Sequence, residues 1–150
     1  MLLFLIKILL GVSSIYRTLR SSIFEIKYIL FYISYLLLVI ISLKDYEEIV
    51  NVANLYLEGC RKGDSSIMKP AFHENATING NPIQTLFDGA DEAGATDSTG
   101  RVDVLEVNND IAVIRVTMEN YFGADYVDLH MLKKFEDGWK IVAKTFTDNK

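Results

Sequence analysis

Cysteine is almost absent from this chain, which has only Cys60 among its 150 residues. A single cysteine excludes an internal disulfide, and the lack of a CxxC pair removes the usual zinc and redox motifs. Cys60 lies among apolar residues in a segment of helical periodicity, so we expect it to be a small core residue. The chain also lacks a Gly-rich phosphate loop, a GxSxG motif and an HExxH motif. Its sequence therefore predicts neither a cofactor nor a metal.

Positive charge is scarce as well, because 15 Lys and Arg residues stand against 20 Asp and Glu residues, for a net charge of −5. Residues 1–43 carry a net +3, which leaves −8 for residues 44–150. An acidic domain without a stripe of Lys and Arg repels phosphate backbones. We therefore expect no nucleic-acid partner.

Residues 1–43 form a hydrophobic leader that contains no Asp, Asn, Gln, Pro, Ala, His, Trp or Cys. Its longest uncharged run, residues 28–43, is slightly shorter than the ~20 residues that span a bilayer. A membrane anchor would place the basic segment 17–27 in the cytoplasm and the following domain outside the membrane. Alternatively, the start codon is assigned too early, the natural chain begins near Ser42 or Lys44, and the domain is cytoplasmic. Both interpretations stay open.

The domain that follows the leader begins with helical periodicity over residues 46–62. Asp45, with Glu48 three residues later, resembles a capping box and is expected to start this helix. Gly63 is expected to end it, and a short second helix is predicted to start at Asp64 or Ser65 and to run through Met68 toward Phe72.

A short strand is predicted at residues 76–79, and Pro82 is well placed to open a third helix that is capped by Asn81 and ended by Gly94. Beyond residue 100 the apolar period changes from about four to two, which indicates consecutive strands joined by hairpin turns. The predicted long strands cover residues 101–107, 111–120, 126–135 and 139–146. These elements predict an α+β fold in which a curved antiparallel sheet packs on N-terminal helices around a small-molecule pocket.

Three segments carry a family resemblance: YLEGCRKGDSSIMKPAFHENATI, NPIQTLFD and LKKFEDGWKIVAKTF. Together they are similar to the putative lumazine-binding branch of the nuclear transport factor 2-like superfamily, which also holds ketosteroid isomerases and small polyketide cyclases. The resemblance covers residues 45–146 and implies a cone-shaped fold, a small-molecule ligand and a homodimer. Two features depart from the relatives: the linker at residues 79–81 is short, and Thr147 stands where relatives often carry a histidine.

The third long strand carries the main candidates for chemistry. Asp128 and His130 share one face of this strand, where apolar surroundings would raise the pKa of the carboxyl group. The pair would then act as a general base and its orienting partner. The alternative interpretation is that this face is exposed to solvent, because the opposite face, with Leu129 and Met131, is the more clearly apolar one.

Four further residues are candidate ligand contacts, namely Phe72 and His73 near the expected pocket mouth, and Arg115 and Tyr126 on the long strands. Arg115 is expected to pair with Asp128 across the strands or to hold an anionic ligand. His73 has a second interpretation as the cap of the preceding helix. None of the candidate His and Asp residues has the spacing of a metal site.

Three functions compete at this point. The domain binds a small planar or apolar metabolite without altering it, or it is an isomerase, cyclase or dehydratase that moves a proton with Asp128 or His130. The third possibility is a non-catalytic dimerisation module. A titrating acid in an enclosed cavity would favour the enzyme, whereas a filled cone would favour the dimerisation module.

Overall fold

A computed structural model describes the backbone of residues 2–149 and the side chains of residues 25–36 and 43–148. The chain divides into two compact units, residues 1–43 and residues 44–150. Within the described part, no helix combines the length and the apolar character needed to cross a bilayer.

The two apolar runs of the leader are only partly described. Side chains of the run at residues 2–16, and of residues 37–42 in the second run, lie outside the described residues. The side chains of residues 25–36 are all exposed.

Helix α1 covers Leu2–Lys62, so the predicted helix start at Asp45 is wrong. Asp45 lies buried within the helix, and its carboxylate accepts hydrogen bonds from Lys134 Nζ and from Trp139 Nε1, the latter at 3.1 Å. Because both donors belong to the sheet, tertiary contacts occupy the carboxylate that the sequence assigned to a helix cap. The predicted stop is confirmed, since Gly63 follows the helix with φ +61°.

Helix α2 (Ser65–Met68) is the predicted short second helix. Its N-cap is Asp64, whose Oδ1 accepts a hydrogen bond from the Ser66 backbone N–H at 2.9 Å. A 3₁₀ turn over Lys69–Ala71 leads directly into the first strand.

Strand β1 covers Phe72–Ile78 and is longer than predicted. The prediction that Asn81 caps a helix opened by Pro82 is wrong, because Asn81–Pro82 forms a two-residue strand β2 that pairs with the end of β1. Helix α3 therefore begins later and covers Gln84–Ala93, and Gly94 ends it as predicted, with φ +79°.

The four predicted long strands are confirmed as β3 (Thr99–Asn108), β4 (Ile111–Tyr121), β5 (Ala124–Phe135) and β6 (Gly138–Asn149). They form an antiparallel meander within one open sheet whose strand order is β2-β1-β6-β5-β4-β3. β1 joins this meander in parallel beside β6. The fold is thus the predicted α+β arrangement, with the core on the inner face of a curved sheet.

A bulge in β6 changes which of its side chains face inward. Leu132 pairs with Ile141 but the preceding Met131 pairs with Ala143, so Val142 is an additional residue on β6. Ile141 and Lys144 are consequently both buried although they are three positions apart. This register places Lys144 on the inner face.

Candidate functional site

Asp128 and His130 lie on the inner face of the sheet, with relative exposures of 1% and 0%. The interpretation of this strand face as solvent-exposed is wrong, because the exposed side chains are Leu129 at 43% and Met131 at 58%. The inner face is covered by α1, whose Tyr56 reaches Asp128. The outer face of β5 is apolar yet open, which is why alternation alone left the buried side of this strand ambiguous.

Asp128 is the centre of a buried polar cluster that also contains Tyr56, His130 and Lys144. The Tyr56 hydroxyl donates a hydrogen bond of 2.7 Å to Asp128 Oδ2. Lys144 Nζ lies 3.1 Å from Asp128 Oδ1, and His130 Nε2 lies 3.7 Å from Oδ2. The last distance is too long for a hydrogen bond. Helix α1 and strands β5 and β6 thus bring an acid, an imidazole, an amine and a phenol together.

Lys144 was not among the residues that the sequence singled out. It is the cross-strand partner of His130, and its side chain is only 3% exposed. Its Nζ lies 4.3 Å from the centroid of the Phe146 ring and 5.4 Å from that of Tyr56. The carboxylate and the two aromatic rings replace water as the partners of the ammonium group.

The protonation states in the cluster follow from burial and charge. Burial alone would raise the pKa of Asp128, but contacts with His130, Lys144 and Tyr56 outweigh it and lower that pKa below its ordinary value. The expectation of a raised carboxyl pKa is therefore wrong. Burial lowers the pKa of His130 more than Asp128 raises it, and burial likewise lowers the pKa of Lys144. The site thus combines a carboxylate with a neutral imidazole at neutral pH.

His130 has unused hydrogen-bonding capacity. Neither of its ring nitrogens has a hydrogen-bond partner among the described residues, and Asp128 Oδ1 receives no well-directed hydrogen bond although Lys144 is close. A buried polar atom without a partner costs about 1–3 kcal/mol. These atoms can therefore accept or donate hydrogen bonds to a bound molecule or to water.

Cys60 lies beside this cluster and is a core residue, as predicted, with a relative exposure of 1%. Burial raises the pKa of its thiol to about 11. The thiolate is the reactive form of cysteine, so at neutral pH Cys60 is not a nucleophile.

A cavity of about 430 Å³, here called the α3 cavity, lies between α3, the β1–β2 turn and the ends of β4 and β6. Its walls are formed by Ile78, Asn79, Asn81, Thr85, Leu86, Gly89, Ala90, Ala93, Tyr121, Phe122 and Phe146. Asp128, His130 and Lys144 are not among these wall residues. Phe146 belongs to the wall and also contacts the Lys144 amine, so one aromatic ring touches both the cavity and the polar cluster.

Phe72 and His73 are separated by the alternation of β1. Phe72 is buried, packs edge-on against Phe87 and lies 6.4 Å from the His130 ring, so it belongs to the core beside the cluster. His73 stacks on Phe135 at 4.7 Å and its Nδ1 accepts a hydrogen bond from the Asn75 backbone N–H. His73 does not cap the preceding helix in this arrangement, so that interpretation is wrong.

Arg115 does not pair with Asp128, and that prediction is wrong. Its Nη2 lies 2.9 Å from Asp103 Oδ2 on the outer face. The register explains this, because Arg115 is opposite Leu129 and therefore points away from the inner face.

Tyr126 lies on the inner face, half-buried, with edge contacts of 5.9 Å to Tyr121 and to Phe146. Both of these neighbours belong to the wall of the α3 cavity. Among the residues whose side chains are described, no group of three or more His, Cys, Asp and Glu is placed to hold a metal ion.

Comparison with known proteins identifies the fold and the family. The model of the family described as putative lumazine-binding matches residues 44–147. A curated relative, aldolase FrzH of Cladobotryum sp, is 28% identical over 116 residues, which cover 71% of this chain and 93% of the relative.

Two solved structures of nuclear transport factor 2-like proteins of unknown function share this fold. The protein from Shewanella baltica OS155 is 29% identical, with a TM-score of 0.68 over 72% of this chain and 96% of its own. The protein from Methylobacillus flagellatus KT is 28% identical, with a TM-score of 0.67 over 71% and 94%. The chain therefore belongs to the putative lumazine-binding family and has a nuclear transport factor 2-like fold.

Proposed function

We propose that residues 44–150 form a small-molecule-binding domain whose ligand occupies the α3 cavity. The observation that carries this proposal is the cavity itself, because its volume of about 430 Å³ lies within the range of about 300–1,000 Å³ that is usual for ligand pockets. Its wall is mostly aliphatic and aromatic, with the side chains of Asn79, Asn81 and Thr85 as polar groups. This lining favours a planar, largely apolar molecule with a few hydrogen-bonding atoms.

Gly89 offers a direct test, because it belongs to the cavity wall and an added Cβ at this position would meet no atom within 4 Å. Gly89→Leu should therefore fill the cavity without straining α3. We expect saturable binding of lumazine or of 1-anilinonaphthalene-8-sulfonate by the wild type, followed by fluorescence titration, and a loss of affinity of about tenfold or more in the variant.

The matched control is Glu92→Leu, which adds the same side chain at an exposed position of α3 outside the cavity wall. This variant should bind both probes as the wild type does. Equal binding by Gly89→Leu and the wild type, or no saturable binding of either probe, would contradict a ligand site in the α3 cavity.

The buried cluster favours a second function, a proton-transfer enzyme of the isomerase, cyclase or dehydratase type. A neutral imidazole beside a carboxylate can accept a proton from carbon next to a carbonyl group, and His130 has both ring nitrogens available. The relative named aldolase FrzH is consistent with carbonyl chemistry on this fold.

This second function is tested with 2-indanone in D₂O, where NMR follows the exchange of its α-protons. Asp128→Asn should abolish protein-catalysed exchange while the circular dichroism spectrum stays unchanged. Asp103→Asn, which alters a carboxylate on the outer face, should exchange at the wild-type rate. Unchanged exchange in Asp128→Asn would remove Asp128 from the mechanism.

The homodimer that the family resemblance implies belongs to the proposal as well. Leu129, Met131 and Ile111 are exposed together on the outer face of β4 and β5, with relative exposures of 43%, 58% and 55%. A second copy of this chain that packs on this face would bury them without closing the α3 cavity.

A further inference from the structure

Lys144 has no role in the function proposed above, although it is a buried lysine with a defined environment. Its Nζ is 3.1 Å from Asp128 Oδ1, and its side chain is 3% exposed. Lysine is almost never fully buried unless it is paired, because its ammonium group prefers water. Burial is one of the ways in which a lysine amine is activated as a nucleophile, and a neighbouring carboxylate can accept the proton that the ammonium must lose.

Lys144 adjoins the α3 cavity through three wall residues. Ile78 is its partner in the β1–β6 register, and the Asn79 backbone N–H donates a hydrogen bond of 2.9 Å to the Lys144 carbonyl oxygen. The Phe146 ring, centred 4.3 Å from Nζ, is the third. The relative exposure of Phe146 is 37%, so part of its ring faces solvent, and access of a ligand atom to the amine requires that ring to rotate.

We propose that Lys144 forms an imine with the carbonyl carbon of an aldehyde or ketone bound in the α3 cavity. The inference rests on the proposed function, since it names the ligand class for the same cavity. It adds to that function a covalent bond that simple binding does not require.

The step balances without a further reactant. Asp128 takes a proton from the ammonium, the neutral amine attacks the carbonyl carbon, and the carbonyl π electrons move to oxygen. The oxygen then leaves as water with two of the three ammonium protons, and the third stays on the iminium nitrogen. Burial lowers the pKa of Lys144, so its ammonium group loses a proton more easily than that of an exposed lysine.

The test treats the full chain with benzaldehyde and sodium cyanoborohydride at neutral pH and maps the peptides by mass spectrometry. Reduction turns an imine into a stable benzyl amine. We expect the first benzyl group on Lys144, ahead of the other nine lysines of the chain. The initial rate should saturate with benzaldehyde, and it should fall by about tenfold or more in Gly89→Leu but not in Glu92→Leu.

Phe146→Ala keeps the amine and should label faster than the wild type, because the ring that covers Nζ is removed. Lys144→Arg should lose the label at this site while its circular dichroism stays that of the wild type. If this variant does not fold, the peptide map of the labelled wild type still shows which lysine carries the benzyl group. Labelling only at exposed lysines, with benzaldehyde still displacing the fluorescent probe, would overturn the imine and leave the binding function intact. Labelling of Lys144 at equal rates in Gly89→Leu and the wild type would overturn access from the α3 cavity.

Discussion

Lys144 shows why single residues of the site are difficult to predict from the sequence. Strict alternation along β6 from the buried Ile141 would place Ala143 on the inner face, but the bulge at Val142 places Lys144 there. Asp128 and His130 were identified because β5 alternates regularly, yet their face was ambiguous since the outer face is also apolar. The alternation of β5 identifies Asp128 and His130 as a pair on one face, and only the packing of α1 shows which face of the strand is buried.

His130 is expected to reduce stability, and His130→Leu tests this expectation. Leucine has a similar volume and removes two buried nitrogens that have no partner among the described residues. We expect the free energy of unfolding at pH 7 to rise by about 1–2 kcal/mol, measured by urea unfolding with Trp139 fluorescence. A clear loss of stability in this variant would mean that His130 makes a favourable structural contact.

The same variant also carries a pH prediction. Burial lowers the pKa of His130 below its ordinary value of 6.5, so the unfolded chain binds the proton first as the pH falls below about 6.5. Protonation of the unfolded chain then draws the equilibrium away from the native state, and wild-type stability should fall from pH 7 to pH 5. His130→Leu should reduce this fall when urea unfolding is compared at pH 7 and pH 5.

At the scale of elements, the ends of helices were easier to predict than their starts. Gly63 and Gly94 end their helices as predicted because each has a positive φ that other residues rarely adopt. Asp45 and Asn81 have the right chemistry for helix caps. However, Asp45 accepts hydrogen bonds from two residues of the sheet, and Asn81 belongs to strand β2. Local propensity cannot distinguish a cap from a residue with a partner far away in the sequence, and Lys134 lies 89 positions from Asp45.

Gly63 is also expected to fix how the end of α1 packs against the end of α3. A Cβ at Gly63 would lie 2.1 Å from the backbone carbon of Gly94, and the φ of Gly63 is positive. Gly63→Ala should therefore lower the free energy of unfolding by about 2–4 kcal/mol, from steric overlap and backbone strain together. The control Gly80→Ala shares the positive φ but meets no atom within 4 Å, so it should lose only about 1 kcal/mol. Equal losses in urea unfolding would show that the close approach adds nothing.

At the scale of the molecule, the α+β class, the meander and the family could all be predicted, because they depend on patterns repeated over many residues. The sequence predicts a small-molecule pocket but not the position of the α3 cavity, since the wall of this cavity combines residues from α3, β1, β4 and β6. Its shape depends on how α3 lies over the sheet, which no single segment encodes. The segment at residues 79–81, although short, contributes to the cavity, because Asn79 and Asn81 both belong to its wall.

The outer sheet face should join two copies of the chain. Met131 is 58% exposed and lies between Val113 and Ala143 in the sheet register, at the middle of the apolar surface. A lysine at this position would place a charge in a desolvated interface, so Met131→Lys should convert a dimer into a monomer in light scattering coupled to size exclusion. Leu55→Lys, which changes an exposed leucine of α1, should leave the dimer intact. A monomeric wild type, or a dimer that persists in Met131→Lys, would show that this face does not mediate self-association.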